Sequence, residues 1–243
     1  MGPNGFSESP AQRLRLPDYR LYGNGTLISV DQHEAPDPAS GRVAVAATTL
    51  TEDEMQALLR RADQAGLVGD QNPDYGQLTV TDQGATDVRV TTDRGTAHAR
   101  AYALGLEEQA GGISGSQNDA RHRLRALLVA VETAVRRAVP EGYPAQRWLV
   151  LATQVTGIGP FDDGVEVTSR PWPLVDPADG HPADQGLIDR CVVVTSAELE
   201  PVMGSMEGGT LEDPPIWQAP SGSYRLLFRP VLPGEEGCAA LGP

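Results

Sequence analysis

The chain has 243 residues, 40% of them hydrophobic, with a formal net charge of -14 and a pI near 4.6. That apolar content supports one large core or two small ones and excludes a wholly disordered chain. The broad negative field repels nucleic acid and anionic lipid, since no run of basic residues interrupts it. All 19 basic residues are Arg, a mark of codon bias more than of a binding surface.

No apolar stretch approaches the roughly 20 residues that cross a bilayer, and Met1 to Pro17 lacks the apolar segment of a secretory signal. The chain is expected to be cytosolic or else to follow a leader absent from this sequence. Cysteine usage favours the second. Cys191 opens one apolar strand candidate and Cys238 follows the last one, a placement that leaves open a bridge or two isolated thiols. A bridge would remove about 4 kcal/mol of unfolded-chain entropy.

In chain order, residues 1–18, with Gly2, Pro3, Gly5 and Pro10, read as a flexible lead-in. Strands are predicted at Tyr19 to Val30, broken by the Gly23-Asn24-Gly25 turn, and at Arg42 to Thr48. Thr51 and Glu54 stand at capping-box spacing, flanked by Leu50 and Met55 as a hydrophobic staple. Met55, Leu58, Leu59 and Ala62 continue as a helical stripe, and Gly66 stops it. Gln77 to Thr81, Asp87 to Thr92 and Thr96 to Leu104 are predicted as antiparallel strands, the last two joined at Asp93-Arg94-Gly95.

Gly105 to Gly115 reads as a mobile loop, and Ser116 to Val139 as a helix with Leu124, Leu127, Leu128, Val131 and Val135 at helical spacing. Its arginines, Arg121, Arg123, Arg125, Arg136 and Arg137, read as a solvated face. Further strands are predicted at Arg147 to Val155, Cys191 to Thr195 and Tyr224 to Leu232. A helix starts at Thr195 or Ser196, capped by Glu198 and kept short by Pro201. Val43 to Val90 and Val192 to Phe228 share the order strand, capped helix, loop, strand, a weak internal repeat. The expected fold is α+β, antiparallel sheets with helices on one face, divided into units at 19–140 and 141–243.

Leu21-Tyr22-Gly23-Asn24-Gly25, Leu50-Thr51-Glu52, Ala101-Tyr102-Ala103-Leu104-Gly105 and Tyr224 to Glu235 with Cys238 behind it resemble uncharacterised secreted proteins and lipoproteins of high-GC actinobacteria. The likeness runs from about Tyr19 onward. It implies that Cys191 and Cys238 pair and that a leader with a lipid-attached cysteine precedes the domain. It carries over no functional residue.

Chemistry is sparse. His33, His98, His122 and His181 are scattered without zinc spacing. Asp176, Asp179, His181 and Asp184 are the densest metal candidate, though without the alternation of a calcium loop. Ser114 between Gly112 and Gly115 lacks the strand that a nucleophile elbow needs. Gly157, Gly159 and Gly164 lack the lysine of a phosphate loop. The carboxylate pairs Glu107 with Glu108 and Asp162 with Asp163 are adjacent residues on loops, not carboxyls facing across a cleft. Trp172, between Pro171 and Pro173, is the tryptophan to test as a glycan platform, with Asp162 and Asp163 as ligand contacts.

No cofactor is predicted. The reading is a non-enzymatic extracytoplasmic protein, secreted or attached to the cell envelope, that binds an envelope protein, a glycan or a small ligand. The alternative is a hydrolase acting on an envelope glycan through Asp162, Asp163 or Asp176 near Trp172. A third reading is a structural accessory meeting its partner through an apolar patch.

Overall fold

The computed structural model describes residues 16–30, 45–69, 73–137, 141–156, 169–185, 188–204 and 215–241. The fold is α+β, with mainly antiparallel sheets. Two units divide the chain. Met1–Arg20, Ile28–Ala47 and Glu141–Pro243 form a sheet unit, and Leu21–Leu27 with Thr48–Pro140 form a helix unit. One boundary between the units falls at residue 140. Among the described residues, 28–30 and 45–47 group with the C-terminal part. The reason is long-range pairing. Strand β3 (Val45–Thr49) pairs with β6 (Glu141–Gly142) through Ala46↔Gly142 and Ala47↔Glu141, and Tyr143 N donates to Val45 O at 2.8 Å. With β1 (Tyr19–Leu21) and β2 (Thr26–Val30) these strands make a sheet of order β1-β2-β3-β6.

The larger sheet of this unit comprises β7 (Arg147–Gln154), β8 (Ser169–Pro171), β9 (His181–Gln185), β10 (Ile188–Thr195), β11 (Ile216–Ala219) and β12 (Gly222–Pro230). Its order is β8-β11-β12-β7-β10-β9, antiparallel except for the β8–β11 edge. Central β7 reads Trp148-Leu149-Val150-Leu151-Ala152 and is buried on both faces, which is why its sequence is a continuous apolar run and not an alternation.

One face packs Trp148, Val150, Val192, Leu226 and Phe228 against Leu199 and Val202 of α3 (Ser196–Met203). That helix repeats the capping box predicted for it, with Thr195 N donating to Glu198 Oε2 at 2.7 Å and Glu198 N to Thr195 Oγ1 at 3.3 Å. It spans eight residues with Pro201 inside. On the other face, the 3-10 helix Gly237–Leu241 packs on β7 and β10.

Two devices hold that C-terminal segment in the sheet unit. Cys191 on β10 is bonded to Cys238, with their Cα atoms 5.9 Å apart. The buried Glu235 carboxylate accepts from Arg229 Nη2 at 2.7 Å, Arg20 Nη1 at 2.9 Å and the Leu232 amide at 2.9 Å.

In the helix unit, α1 (Glu52–Gln64) starts at the predicted capping box, Thr51 N donating to Glu54 Oε2 at 2.8 Å and Glu54 N to Thr51 Oγ1 at 3.3 Å. It ends at Gly66 (φ +74°), where Leu67 N returns to Ala62 O at 2.8 Å. The carbonyl of Gly25, at φ +84°, accepts from Leu50 N at 2.8 Å, and a Cβ there would stand 2.7 Å from the Leu50 carbonyl oxygen. Only glycine fits that turn.

Strands β4 (Ala85–Thr92) and β5 (Gly95–Tyr102) form the predicted hairpin, in register from Ala85↔Tyr102 to Thr92↔Gly95. Gln77 to Thr81 is not a strand. Leu78 is drawn into a small cluster with Ala103 and Ala110, and Thr79 bonds Gly111 instead of a ladder partner.

Helix α2 (Gly115–Arg137) corrects a second expectation. Arg121 is 0% exposed, not solvated. Its Nε meets Glu107 Oε1 at 2.8 Å, Nη1 the Tyr75 carbonyl at 3.1 Å and Nη2 the Tyr102 carbonyl at 2.6 Å. Residues 105–115 are therefore anchored at Glu107, besides burying Ala110. Burial pushes the Glu107 carboxyl upward, but the Gly105 amide and Arg121 outweigh it and leave it below the usual range.

Replacing both cysteines by serine should lower stability by about 4 kcal/mol, measured by denaturant unfolding against the oxidised wild type; an unchanged midpoint would contradict the chain-closure argument. Arg121→Met should cost about 3 kcal/mol at neutral pH by leaving a buried carboxylate unpaired. Because the Glu107 value is depressed in the folded state, its contribution is complete above the ordinary glutamate value and disappears as pH falls through the depressed one. The gap between variant and wild type should therefore narrow below about pH 4.

Candidate functional site

The polar groove of the sheet unit forms where β7, β10 and the turn between β11 and β12 come together. It has a volume of about 560 Å³, and its polar wall comprises Gln154, Asp189, Arg190, Ser221 and Tyr224. Each position has a local cause. The β9–β10 register, Ile188↔Gln185 and then Arg190↔Pro182, shifts at Asp189, as a bulge does when it re-aims a side chain. Asp189 Oδ2 accepts from the Gln154 amide at 2.7 Å, at the end of β7. Tyr224, opposite Gln154 on β12, is buried, and its hydroxyl shares a 2.8 Å hydrogen bond with Ser221 Oγ.

Ser221 is in turn fixed by Asp176. Asp176 caps the 3-10 helix Pro177–Asp179 by accepting from Ala178 N at 3.0 Å, and it also accepts from the Ser221 amide at 2.9 Å and from the Ser221 hydroxyl. The Ser221 hydroxyl above all, with the two amides, holds the Asp176 carboxyl below the ordinary range, against the upward push of burial. A general base works best with a pKa near the working pH. A depressed carboxylate that accepts three bonds orients Ser221, and the cluster offers donors and acceptors to a ligand.

No protein-family model, curated protein or solved structure matches this chain.

The residues proposed from sequence are placed differently from one another. Asp162 and Asp163 lie outside the described residues, as do Gly157, Gly159, Gly164 and His33. Trp172 is 6% exposed, its ring set edge-on to Trp217 at 5.5 Å and tilted against Phe228 at 6.3 Å, with Nε1 donating to Val175 O at 2.8 Å. Those neighbours take up the surface that a stacked sugar would need.

Among the four metal candidates, Asp176 is committed as above, and Asp179 ends the 3-10 helix. His181 lies on β9 opposite Cys191, and Asp184 lies on the same strand. Among the described residues no three His, Cys, Asp or Glu side chains converge on a metal position. Ser114 is a helix cap, its Oγ accepting from Gln117 N at 3.2 Å while Gln117 Oε1 accepts from Ser114 N at 2.7 Å.

Apart from Asp176, the groove residues carried no sequence signal. They come from three strands and a turn far apart in the chain, and Asp189 depends on a register shift that only pairing reveals.

The Asp176 contribution should be complete above about pH 3.9 and vanish as pH falls through the depressed value. An NMR titration of the Ser221 amide should show a midpoint below that ordinary aspartate value, and Asp176→Asn should abolish the transition. A midpoint at or above the ordinary value would contradict the assigned hydrogen bonding.

Proposed function

We propose that this protein works outside the cytoplasm, secreted or held at the cell envelope, where it binds a ligand or partner without transforming it. The observation that carries the reading is the Cys191–Cys238 bridge, since disulfides persist in oxidising compartments and are rare where thiols are kept reduced. No helix among the described residues is long and apolar enough to cross a membrane. The resemblance to actinobacterial secreted proteins and lipoproteins points to the same compartment.

Among the described residues the displaced carboxylates favour binding over proton transfer, Asp162 and Asp163 lying outside them. Glu54, Asp74, Glu107, Asp176 and Glu198 are all displaced downward, each held ionised by hydrogen-bond donors. A glycosidase acid needs the opposite displacement. The groove beside Tyr224 supplies fixed donors and acceptors for a small polar ligand.

Protein isolated from its native source under alkylating, non-reducing conditions should take up no alkyl group, and two after reduction, as read by intact mass. Two alkyl groups before reduction would sink the export reading.

A further inference from the structure

In the helix unit, α1 and α2 border an open trough of about 570 Å³. Ala126, Ala130 and Ala134 recur every fourth residue along its α2 wall, so they share one face. Val129 beside them is 49% exposed. The buried residues of α2 are Ala120, Arg121, Leu124 and Leu127; beyond them the apolar face of the helix continues only partly covered.

The rim is cationic. Arg61 of α1 and Arg125 and Arg137 of α2 line it, against the single carboxylate of Glu54. That carboxylate is bound by the Thr51 amide and hydroxyl, and its charge faces Arg137. Among the described residues neither Arg61 nor Arg125 pairs with a carboxylate. In a chain with 33 acidic residues against 19 basic ones, this rim is a local excess of positive charge above an apolar floor.

We propose that this trough docks an acidic amphipathic helix of a partner protein, its apolar side chains on the alanine line and its carboxylates toward Arg61 and Arg125. The small side chains let a third helix approach closely, and the wall from Ala126 to Arg137 is about 17 Å long, roughly three helical turns. A fatty acid would also satisfy the charge, but an acyl chain needs cover over most of its surface. An open trough covers one face, which is what a docked helix requires. The docking does not depend on the compartment proposed above.

The test is a fluorescence anisotropy titration of the full chain with two labelled peptides of about four helical turns. Both carry the same Leu/Ala face, one flanked by Glu and the other by Lys. The Glu peptide should bind, and about tenfold more tightly than the Lys peptide at low salt. The double variant Arg61→Glu with Arg125→Glu should weaken the Glu peptide about tenfold and strengthen the Lys peptide.

Arg61 lies in the last turn of α1, so Arg125→Glu alone and Ala130→Arg, which fills the trough, serve as second variants, each checked for an unchanged melting temperature. Both should weaken the Glu peptide. Failure of the Glu peptide to bind, equal binding of both, or insensitivity to all three variants would overturn the proposal. So would oleate or anionic vesicles binding at these arginines while the Glu peptide does not.

Discussion

The arrangement of the sheet unit rests on how its last residues are tied back to β10. Cys238 is bonded to Cys191, and three residues earlier Glu235 gathers Arg229, Arg20 and the Leu232 amide onto one carboxylate. Between these ties the C-terminal segment lies on β7 and β10. Without that cover, Leu149, Leu151 and Cys191, all nearly inaccessible, would face water. The Arg229–Glu235 pair is deeply buried. Desolvation of both charges offsets much of their attraction, so its consequence is positional, since either charge left alone in that place would be costly.

The helix unit uses the same logic once, without a covalent tie. Arg121 reaches from α2 to Glu107 and to the carbonyls of Tyr75 and Tyr102, which fastens three separate stretches of irregular or strand-end backbone. Alanines at 97, 99 and 101 face Leu124 and Leu127 in the core of this unit. Small side chains on the hairpin leave room for the helix, while the arginine supplies donors to carbonyls that have lost sheet partners. The two ends of α2 therefore differ. The first half is buried around Arg121, and the second keeps its alanine line near Arg61 and Arg125, which pair with no carboxylate among the described residues.

The polar groove of the sheet unit is built from fixed parts. Asp176 serves as a cap for one short helix and an anchor for Ser221, Ser221 holds the Tyr224 hydroxyl, and Asp189 holds the end of β7. Ser221, Tyr224 and Asp189 each have their orientation set by a hydrogen bond, which is the preorganisation that binding favours. The same hydrogen bonds hold the Asp176 carboxyl below its ordinary range.

Local chemistry was readable from the residues alone. Both capping boxes, the Gly66 stop, the Asp93-Arg94-Gly95 hairpin and the apolar strands read at Arg147 to Val155 and Cys191 to Thr195 depend on neighbours a few positions away, although the second strand starts earlier, at Ile188. The candidate groove was hardly legible, and Arg121 was read as solvated because helical spacing cannot tell an arginine facing water from one facing a buried glutamate. By itself the sequence determined the α+β class and most long elements, since propensity, capping and periodicity act within a few residues. Tertiary structure decided which distant strands pair, that residues 28–30 and 45–47 join the C-terminal unit, that Trp172 is core, and that Cys191 meets Cys238. Those outcomes depend on the closure of long loops and on burial against partners far along the chain, and no local pattern records them.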